Sequence, residues 1–516
     1  MEPFSVKEYL SLTMPTEDVP LSDQQRIRLA LQTLGYGQVT IPLQILRKLY
    51  PLCRNAGFDI TVTLVRREAD WVVTDVEAGD RRQHHYGLAV DYGSTTIVMQ
   101  LVDLQSGAVI GEEKAVNGQV RYGTDILTRI THVMQEPDGA EDLRQATVET
   151  FQQLFAQLTE STGIAADRCP LMILSGNTTM IHFLLKLDAW TVFASPFAPV
   201  AADPGFFWGS ELGMRFDGVV YIIPAASNYI GGDIVSGLLK LEQHKQEKPG
   251  LFFDIGTNGE LILGCKDWMM GGAGAAGPAL EGYISRYGMR AAEGAVDTVR
   301  IHGAELSFTT IGGKKPVGIC GSAIIALLAQ MRLQGWINIA GDLEPSASER
   351  IIYLEEEQQY AAVYALAEES ASGMPLYFAQ QDIDQYLDTK AAAFTMVECL
   401  LEEAGLTVEE LSRIWLSGAF PAHSDLESAI TIGMFPDLPR ERYAVVTNTS
   451  LEGARLVLLD YSRVREAEQL VDNLYCVQFA SIPDFLIRMQ AAKFIPHTDM
   501  HRYPTIQHRL EERGRM

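Results

Sequence analysis

Apolar and polar positions repeat with different periods along this chain, and each change of period marks an element. Residues 1 to about 20 carry no clean period and are expected to be irregular or partly helical. Residues 22–32 follow helical spacing behind a capping Ser22 and stop before Gly35. Residues 42–56 predict a second helix, and residues 59–65 and 71–76 alternate as strands. These elements predict a small α+β domain over residues 1–82 that ends in a polar hinge, residues 78–85. His84 and His85 are adjacent, a poor spacing for one metal ion, and are expected to be linker residues.

From Tyr86 the pattern changes. Residues 86–91, 96–104 and 108–116 predict a three-stranded meander. Helices are expected from residue 121 and over 142–162, then a buried strand over 171–175 that turns into a helix over 180–187. Residues 194–218, rich in Pro, Gly and aromatics, predict a loop; 219–224 predict a strand, and Gly231-Gly232-Asp233 a helix start. The pattern then repeats. Two strands flank Asp254 to Asn258, a Gly/Ala-rich loop over 271–282 enters a helix, and residues 296–301 and 306–311 pair as strands. A helix follows over 324–333, opened by residues 318–323. Residues 340–375 are Glu-rich and expected to be a surface excursion. A helix over 390–404 precedes a strand over 413–417; residues 425–475 alternate helix, Gly/Pro turn and helix. The tail from about His497 is expected to be a surface extension. The fold class is therefore α/β and duplicated, with a first half at about 86–225 and a second at about 226–495 inside a domain over 83–516.

The two halves share one chemical feature. Asp91-Tyr-Gly93-Ser94-Thr95-Thr96 and Asp254-Ile-Gly256-Thr257-Asn258-Gly259-Glu260 each follow an apolar strand. Such a turn suits a phosphate: glycine lets the backbone approach, hydroxyls and N–H groups donate, and the acid can hold a metal ion through water. Two facing copies suit a nucleoside triphosphate with Mg2+. Asp254 is the first candidate for hydrolysis, and Asp91 and Asp254 are the candidate metal ligands. Leu416-Ser-Gly418-Ala419-Phe420 ends a strand in small residues against which a base or ribose can lie. Gly321 and Ser322, at a helix start, could bind an anion or cap the helix. Asn177 could orient a water or phosphate, or cap its own helix.

Composition narrows the partners. A length of 516 residues predicts two or three domains. A net charge of −25 argues against general nucleic-acid binding and against anchoring on anionic lipid. The N-terminus lacks a signal-peptide pattern and no apolar run spans a bilayer, so a cytoplasmic location is expected. The six cysteines, Cys53, Cys169, Cys265, Cys320, Cys399 and Cys476, form no C-x-x-C pair and read as scattered buried thiols.

The paired turns with residues 416–420 and 175–179 resemble the acetate and sugar kinase, heat-shock chaperone and actin superfamily of ATPases. Residues 87–96, 121–125, 176–182, 253–260, 275–282, 318–322 and 429–433 together resemble a narrower family, the reductive activators of corrinoid proteins. The resemblance covers about residues 30–500 and likens the N-terminal unit to the family's middle domain. It implies an actin-like ATPase fold, two β-meander/α halves around a nucleotide cleft. It implies ATP and Mg2+ as cofactors and an ATPase activity that helps return cobalt(II) in a corrinoid methyl carrier to cobalt(I). The family usually carries an iron–sulfur domain, for which this chain has neither room nor cysteines, so no iron–sulfur cluster is expected here. Gly272-Ala273-Gly274 also stand where the family commonly has Cys-Ser-x. The implied partners are a corrinoid protein and a separate electron donor, a ferredoxin or reductase, with a homodimer left open. Two alternatives stand beside this: an ATP-switched binding or remodelling protein without a redox role, and a small-molecule kinase.

Overall fold

Strand pairing fixes the frame. The computed structural model describes residues 2–256, 258–274, 285–418 and 425–515. The chain forms two compact units, Met1–Glu242 with Thr449–Leu474, and Gln243–Asn448 with Tyr475–Met516.

The first unit opens with a small sheet whose strands run Ser5–Ser11, Asp59–Arg67, Asp70–Ala78, Val39–Thr40. Helices Asp23–Thr33 and Leu43–Asn55 bury Ile27, Leu31, Ile45 and Leu49 against Ile60, Val62 and Leu64 of that sheet. Ser22 and Gln25 close a capping box, which sets the start of the first helix. The strand Ser5–Ser11 replaces the irregular lead-in expected from the sequence. Its Lys7, Glu8 and Tyr9 blur the period, and antiparallel pairing with Asp59–Arg67 makes it a strand. His85 is likewise no simple linker residue: it is buried, and its Nε2 lies 2.9 Å from Ser5 Oγ.

The larger sheet of this unit orders its strands Val109–Val116, Thr96–Asp103, Tyr86–Tyr92, Leu171–Gly176, Val219–Ile222, Gly205–Trp208. The first three form the antiparallel meander; Leu171–Gly176 joins Tyr86–Tyr92 in parallel, and Val219–Ile222 joins Leu171–Gly176 in parallel. Gly205–Trp208 is a strand inside the expected loop. Leu88, Val90 and Tyr92 share a core with Phe151 and Leu154 of the helix Gly139–Thr162. Pleating turns Gly87, Ala89 and Asp91 to the opposite face. There the helix Thr449–Leu459 packs, so closely that a Cβ on Gly87 would come within 2.9 Å of Leu458. Residues 226–242 and 449–474, placed by the sequence in the second half, thus belong to the first unit. Small residues permit it: a Cβ on Gly453 would overlap the Ser236 carbonyl of the helix Gly232–Leu241.

The second unit repeats the order. Tyr443–Val445, Arg413–Ser417, Gly250–Ile255, Gly259–Cys265 and Trp268–Gly274 lie side by side, the last three as a meander. Arg413–Ser417 runs parallel to Gly250–Ile255, and Tyr443–Val445 runs parallel to Arg413–Ser417. Tyr443–Val445 is too short for the sequence to have shown.

Two expectations fail here. Residues 340–375 are not a surface excursion: Ile351–Leu354, Gln359–Ala365 and Leu376–Ala379 form a sheet, and Ala361 to Ala365 are buried. Glu355–Glu357 marks only the turn of a hairpin. The tail is not a surface extension either, because Tyr503, Ile506 and Leu510 are fully buried around the helix Pro504–Glu511. The helix expected from residue 390 starts earlier and runs Gln380–Glu403, with Lys390 buried inside it. Lys390 Nζ donates to the carbonyls of Ala492, Phe494 and Pro496 at 2.6 Å each, which satisfies all three ammonium protons. Five of the six cysteines are buried and all are free thiols. Among the described residues no helix is long and apolar enough to cross a membrane.

Candidate functional site

The first turn follows from strand register. Tyr92 pairs with Ile97 across the hairpin, which leaves residues 93–96 as its connection. Asp91, Gly93, Ser94, Thr95 and Thr96 are all half-buried, while the strand residues behind them are fully buried. Gly93 is required by the turn itself, since a Cβ there would overlap the Thr96 carbonyl.

Asn117, which the sequence did not single out, holds this turn. Its Nδ2 donates to Gly93 O at 2.9 Å, its backbone N–H donates to Thr95 O at 2.8 Å, and its Oδ1 accepts from Gln119 N at 3.0 Å. Behind it, Gln119 Nε2 lies within hydrogen-bond distance of Tyr92 Oη, Thr147 Oγ1 and Leu143 O, which share its two protons, and Arg129 Nη1 donates to Gln119 Oε1 at 3.2 Å. Burial pushes the Tyr92 phenol well above its ordinary pKa and lowers that of the Arg129 guanidinium. A buried polar network of this kind fixes one turn geometry. The signal was present as an Asn directly after a strand, an Asx-turn position.

Asp91 pairs in register with Ser175 of the parallel strand, so the start of the next helix lies at the same end of the sheet. Asn177 caps that helix: its Oδ1 accepts from Thr179 N at 3.0 Å. Ser450 Oγ donates to Asp91 Oδ1 at 2.8 Å. Ser450 was missed because its segment reads as part of the other half.

In the second unit Gly256 N donates to Asn258 O at 2.9 Å and closes the second turn. Thr257 lies outside the described residues. Asp254 stands opposite Glu260 on one neighbouring strand and opposite Ser417 on the other. Glu260 is buried beside the half-buried Asp254, a like-charge pairing that strands otherwise avoid. Gly418 has φ +102, a conformation that favours glycine; a Cβ there would overlap Ile255 O and reach 3.1 Å from Asp254 Oδ1. Gly418 thus packs closely against the end of the strand Gly250–Ile255. Ala419 and Phe420 lie outside the described residues, as do residues 275–282 of the Gly/Ala loop.

Gly259 is buried within the strand Gly259–Cys265. Gly321 and Ser322 open the helix Gly321–Gln334 behind a short strand that belongs to a different, three-stranded sheet. Ser322 does not cap that helix. Cys320 is the N-cap residue, and Ser322 Oγ lies 3.2 Å from its Sγ. Gly272 and Gly274 have a packing reason: a Cβ on Gly272 would come within 2.6 Å of Phe479, and one on Gly274 would overlap the Met396 sulfur.

Gly256 differs from these. Among the described residues a Cβ on it would meet nothing closer than Asn258 O at 4.0 Å, and its φ is not left-handed. The open space beside its backbone is a cradle that fits a phosphate oxygen. Among the described residues no three His, Cys, Asp or Glu side chains could together hold a metal ion. Asp91 and Asp254 supply hard carboxylate oxygens, and that donor type fits Mg2+, which keeps several waters and takes one or two carboxylates.

Three comparisons bear on this arrangement. The family described as RACo matches the chain in three consecutive stretches: its linker region at residues 1–83, its middle region at 86–246, and its C-terminal ASKHA domain at 248–507. The corrinoid activation enzyme RamQ of Eubacterium limosum is 27% identical over 423 residues, 80% of this chain and 71% of that protein. The Co(II) methylated amine-specific corrinoid protein reductase of Methanosarcina barkeri is 24% identical over 75% of this chain and 73% of its own length. A solved structure of a reductive activator for a corrinoid, iron–sulfur protein superimposes with TM-score 0.86 at 35% identity, covering 98% of this chain and 81% of that one.

Proposed function

This chain belongs to the RACo family, whose C-terminal part is an ASKHA domain, and from that membership we propose that it is an ATP-dependent reductive activator of a corrinoid protein. It would help return cobalt(II) in a methyl carrier to cobalt(I), with the one electron supplied by a separate donor such as a ferredoxin or a reductase. The observation that carries the reading is the likeness to a corrinoid-protein activator over 98% of this chain at TM-score 0.86. The relatives RamQ and the methylated-amine corrinoid protein reductase point the same way.

The chain's own residues have definite parts in this reading. Ser94, Thr95 and Thr96 donate hydroxyls to phosphate oxygens, and Asn117 holds the turn that presents them. Gly256, Thr257 and Asn258 form the second phosphate turn, with Gly259 and Glu260 behind it. Asp91 would hold the Mg2+ ion. Asp254 orients the attacking water and takes its proton, with Glu260 one strand away keeping the local field negative. Gly418, Ala419 and Phe420 receive the adenosine, and Gly321 and Ser322 supply a further anion contact. When bound, Mg2+ neutralises charge on the β- and γ-phosphates. Coupling is thermodynamic: nucleotide and partner bind the same chain, and each favours the state the other prefers.

The test combines the purified chain with a cobalt(II) corrinoid protein, a low-potential electron donor and ATP. Cobalt(I) is followed by its absorbance and phosphate release by a coupled assay. The reading predicts cobalt(I) only when chain and ATP are both present, with faster hydrolysis when the corrinoid protein is added. Hydrolysis without cobalt reduction would favour an ATP-switched binding protein, and phosphate transferred to a small molecule would favour a kinase.

A further inference from the structure

Asp91 sits at the end of a short chain of buried hydroxyls. Ser450 Oγ donates to Asp91 Oδ1 at 2.8 Å, and Ser175 Oγ lies 2.9 Å behind Ser450 Oγ. Ser175 Oγ also lies 2.9 Å from Ser236 Oγ and 3.2 Å from the Gly232 carbonyl. Ser175 and Ser236 are fully buried, and Ser450 is only 7% exposed. The three serines come from three elements: the strand Leu171–Gly176, the helix Gly232–Leu241 and the helix Thr449–Leu459. The close approach of Gly453 to Ser236 O brings the two helices near enough for the serines to meet.

We propose that Ser450 is a positioning residue for Asp91: its hydroxyl fixes the rotation of the carboxylate so that an oxygen is held for the metal ion. The proposal rests on the reading of Asp91 as the metal-holding residue. A carboxylate at a strand end can turn about two side-chain bonds, and an ion held through water needs its oxygen in one place. A hydroxyl that donates to a carboxylate makes a charge-assisted bond, stronger than a neutral one. Ser450 gives its single proton to Asp91, and Ser175 Oγ, which shares its own proton among Ser450, Ser236 and the Gly232 carbonyl, lies 2.9 Å behind and holds the Ser450 hydroxyl in place. Two plain packing serines would not need both a carboxylate in front and a hydroxyl behind.

The experiment uses the full chain and four variants: Ser450→Ala, Ser450→Thr, Ser175→Ala and Asp91→Asn. Calorimetry measures binding of a non-hydrolysable ATP analogue in EDTA and then across a Mg2+ titration, and melting is recorded without metal. Loss of a hydrogen bond that orients a metal ligand weakens metal affinity about 10-fold or more. Ser450→Ala is therefore expected to raise the Mg2+ midpoint about 10-fold. Analogue binding in EDTA stays unchanged. Ser450→Thr restores the midpoint, and Ser175→Ala shifts it the same way by less. An unchanged midpoint in Ser450→Ala, with a shifted one in Asp91→Asn, overturns the proposal and leaves the reading of Asp91 standing. An unchanged midpoint in Asp91→Asn overturns both. If Ser450→Ala does not fold, an unchanged midpoint in Ser175→Ala has the same overturning force.

Discussion

Gly256→Ala separates the needs of the fold from those of a ligand. Among the described residues the added Cβ meets nothing nearer than Asn258 O at 4.0 Å, an ordinary contact, and the backbone is not left-handed. The folded protein therefore pays no steric penalty. Replacing Gly by Ala at a compatible site restricts the unfolded chain and stabilises by about 0.4–1 kcal/mol. The variant should melt at the wild-type temperature or slightly above it. A phosphate oxygen hydrogen-bonded near this backbone would approach to about 3 Å, and the methyl would stand in its way. Loss of one hydrogen bond to a charged group costs about 1.5–3 kcal/mol, and each 1.4 kcal/mol is about tenfold in affinity. Nucleotide affinity should therefore fall at least about tenfold. Calorimetric titration with ATP, beside a melting curve, reads both quantities from one preparation. Gly93→Ala and Gly418→Ala are the contrasting controls. Their Cβ atoms would overlap Thr96 O and Ile255 O, and Gly418 also has φ +102, so both should lose stability together with binding. Wild-type affinity in a stable Gly256→Ala protein would refute the phosphate turn.

Asn117→Ala removes the donor to Gly93 O and the acceptor of Gln119 N in a fully buried place, so melting should fall by about 1–3 kcal/mol of stability; Gln119→Leu should act in the same direction through the network behind it. Asp254→Asn keeps the shape and should leave melting and nucleotide binding near wild type while abolishing hydrolysis; wild-type turnover by this variant would remove Asp254 from the mechanism. Burial pushes the His85 imidazole down to about 4, below its ordinary 6.5. Its contribution to stability is thus fully present above pH 6.5 and is lost as pH falls toward 4. Urea midpoints at pH 5 and pH 7 should differ less in His85→Gln than in wild type, and equal differences would remove His85 as the cause.

Local pattern read well wherever local physics decides. Ser22 with Gln25 fixed a helix start, alternation fixed the meanders, and fully apolar runs fixed the strands before both turns. It read poorly where a partner decides. Ser5–Ser11 is a strand because Asp59–Arg67 lies beside it, and Ala361 to Ala365 are buried because two further strands flank them. Ile506 and Leu510 look like stray apolar residues in a charged tail until Tyr503 and the core around them are in place. Ser450 could not be read as a neighbour of Asp91, because the two are far apart in sequence and nothing local marks their meeting.

By itself the sequence determined the two strand–turn–strand hairpins, their acids, the α/β duplication and the family resemblance. Each of these is carried by short contiguous runs whose spacing is set by the backbone. Only the tertiary structure decided that Thr449–Leu474 returns to the first unit, that Asn117 holds the first turn, and that Ser450 faces Asp91. It also separated Gly93 and Gly418, which the fold requires, from Gly256, which it does not. The physical reason is one of range: hydrogen bonds and van der Waals overlap act over a few ångströms of space, whatever the distance along the chain.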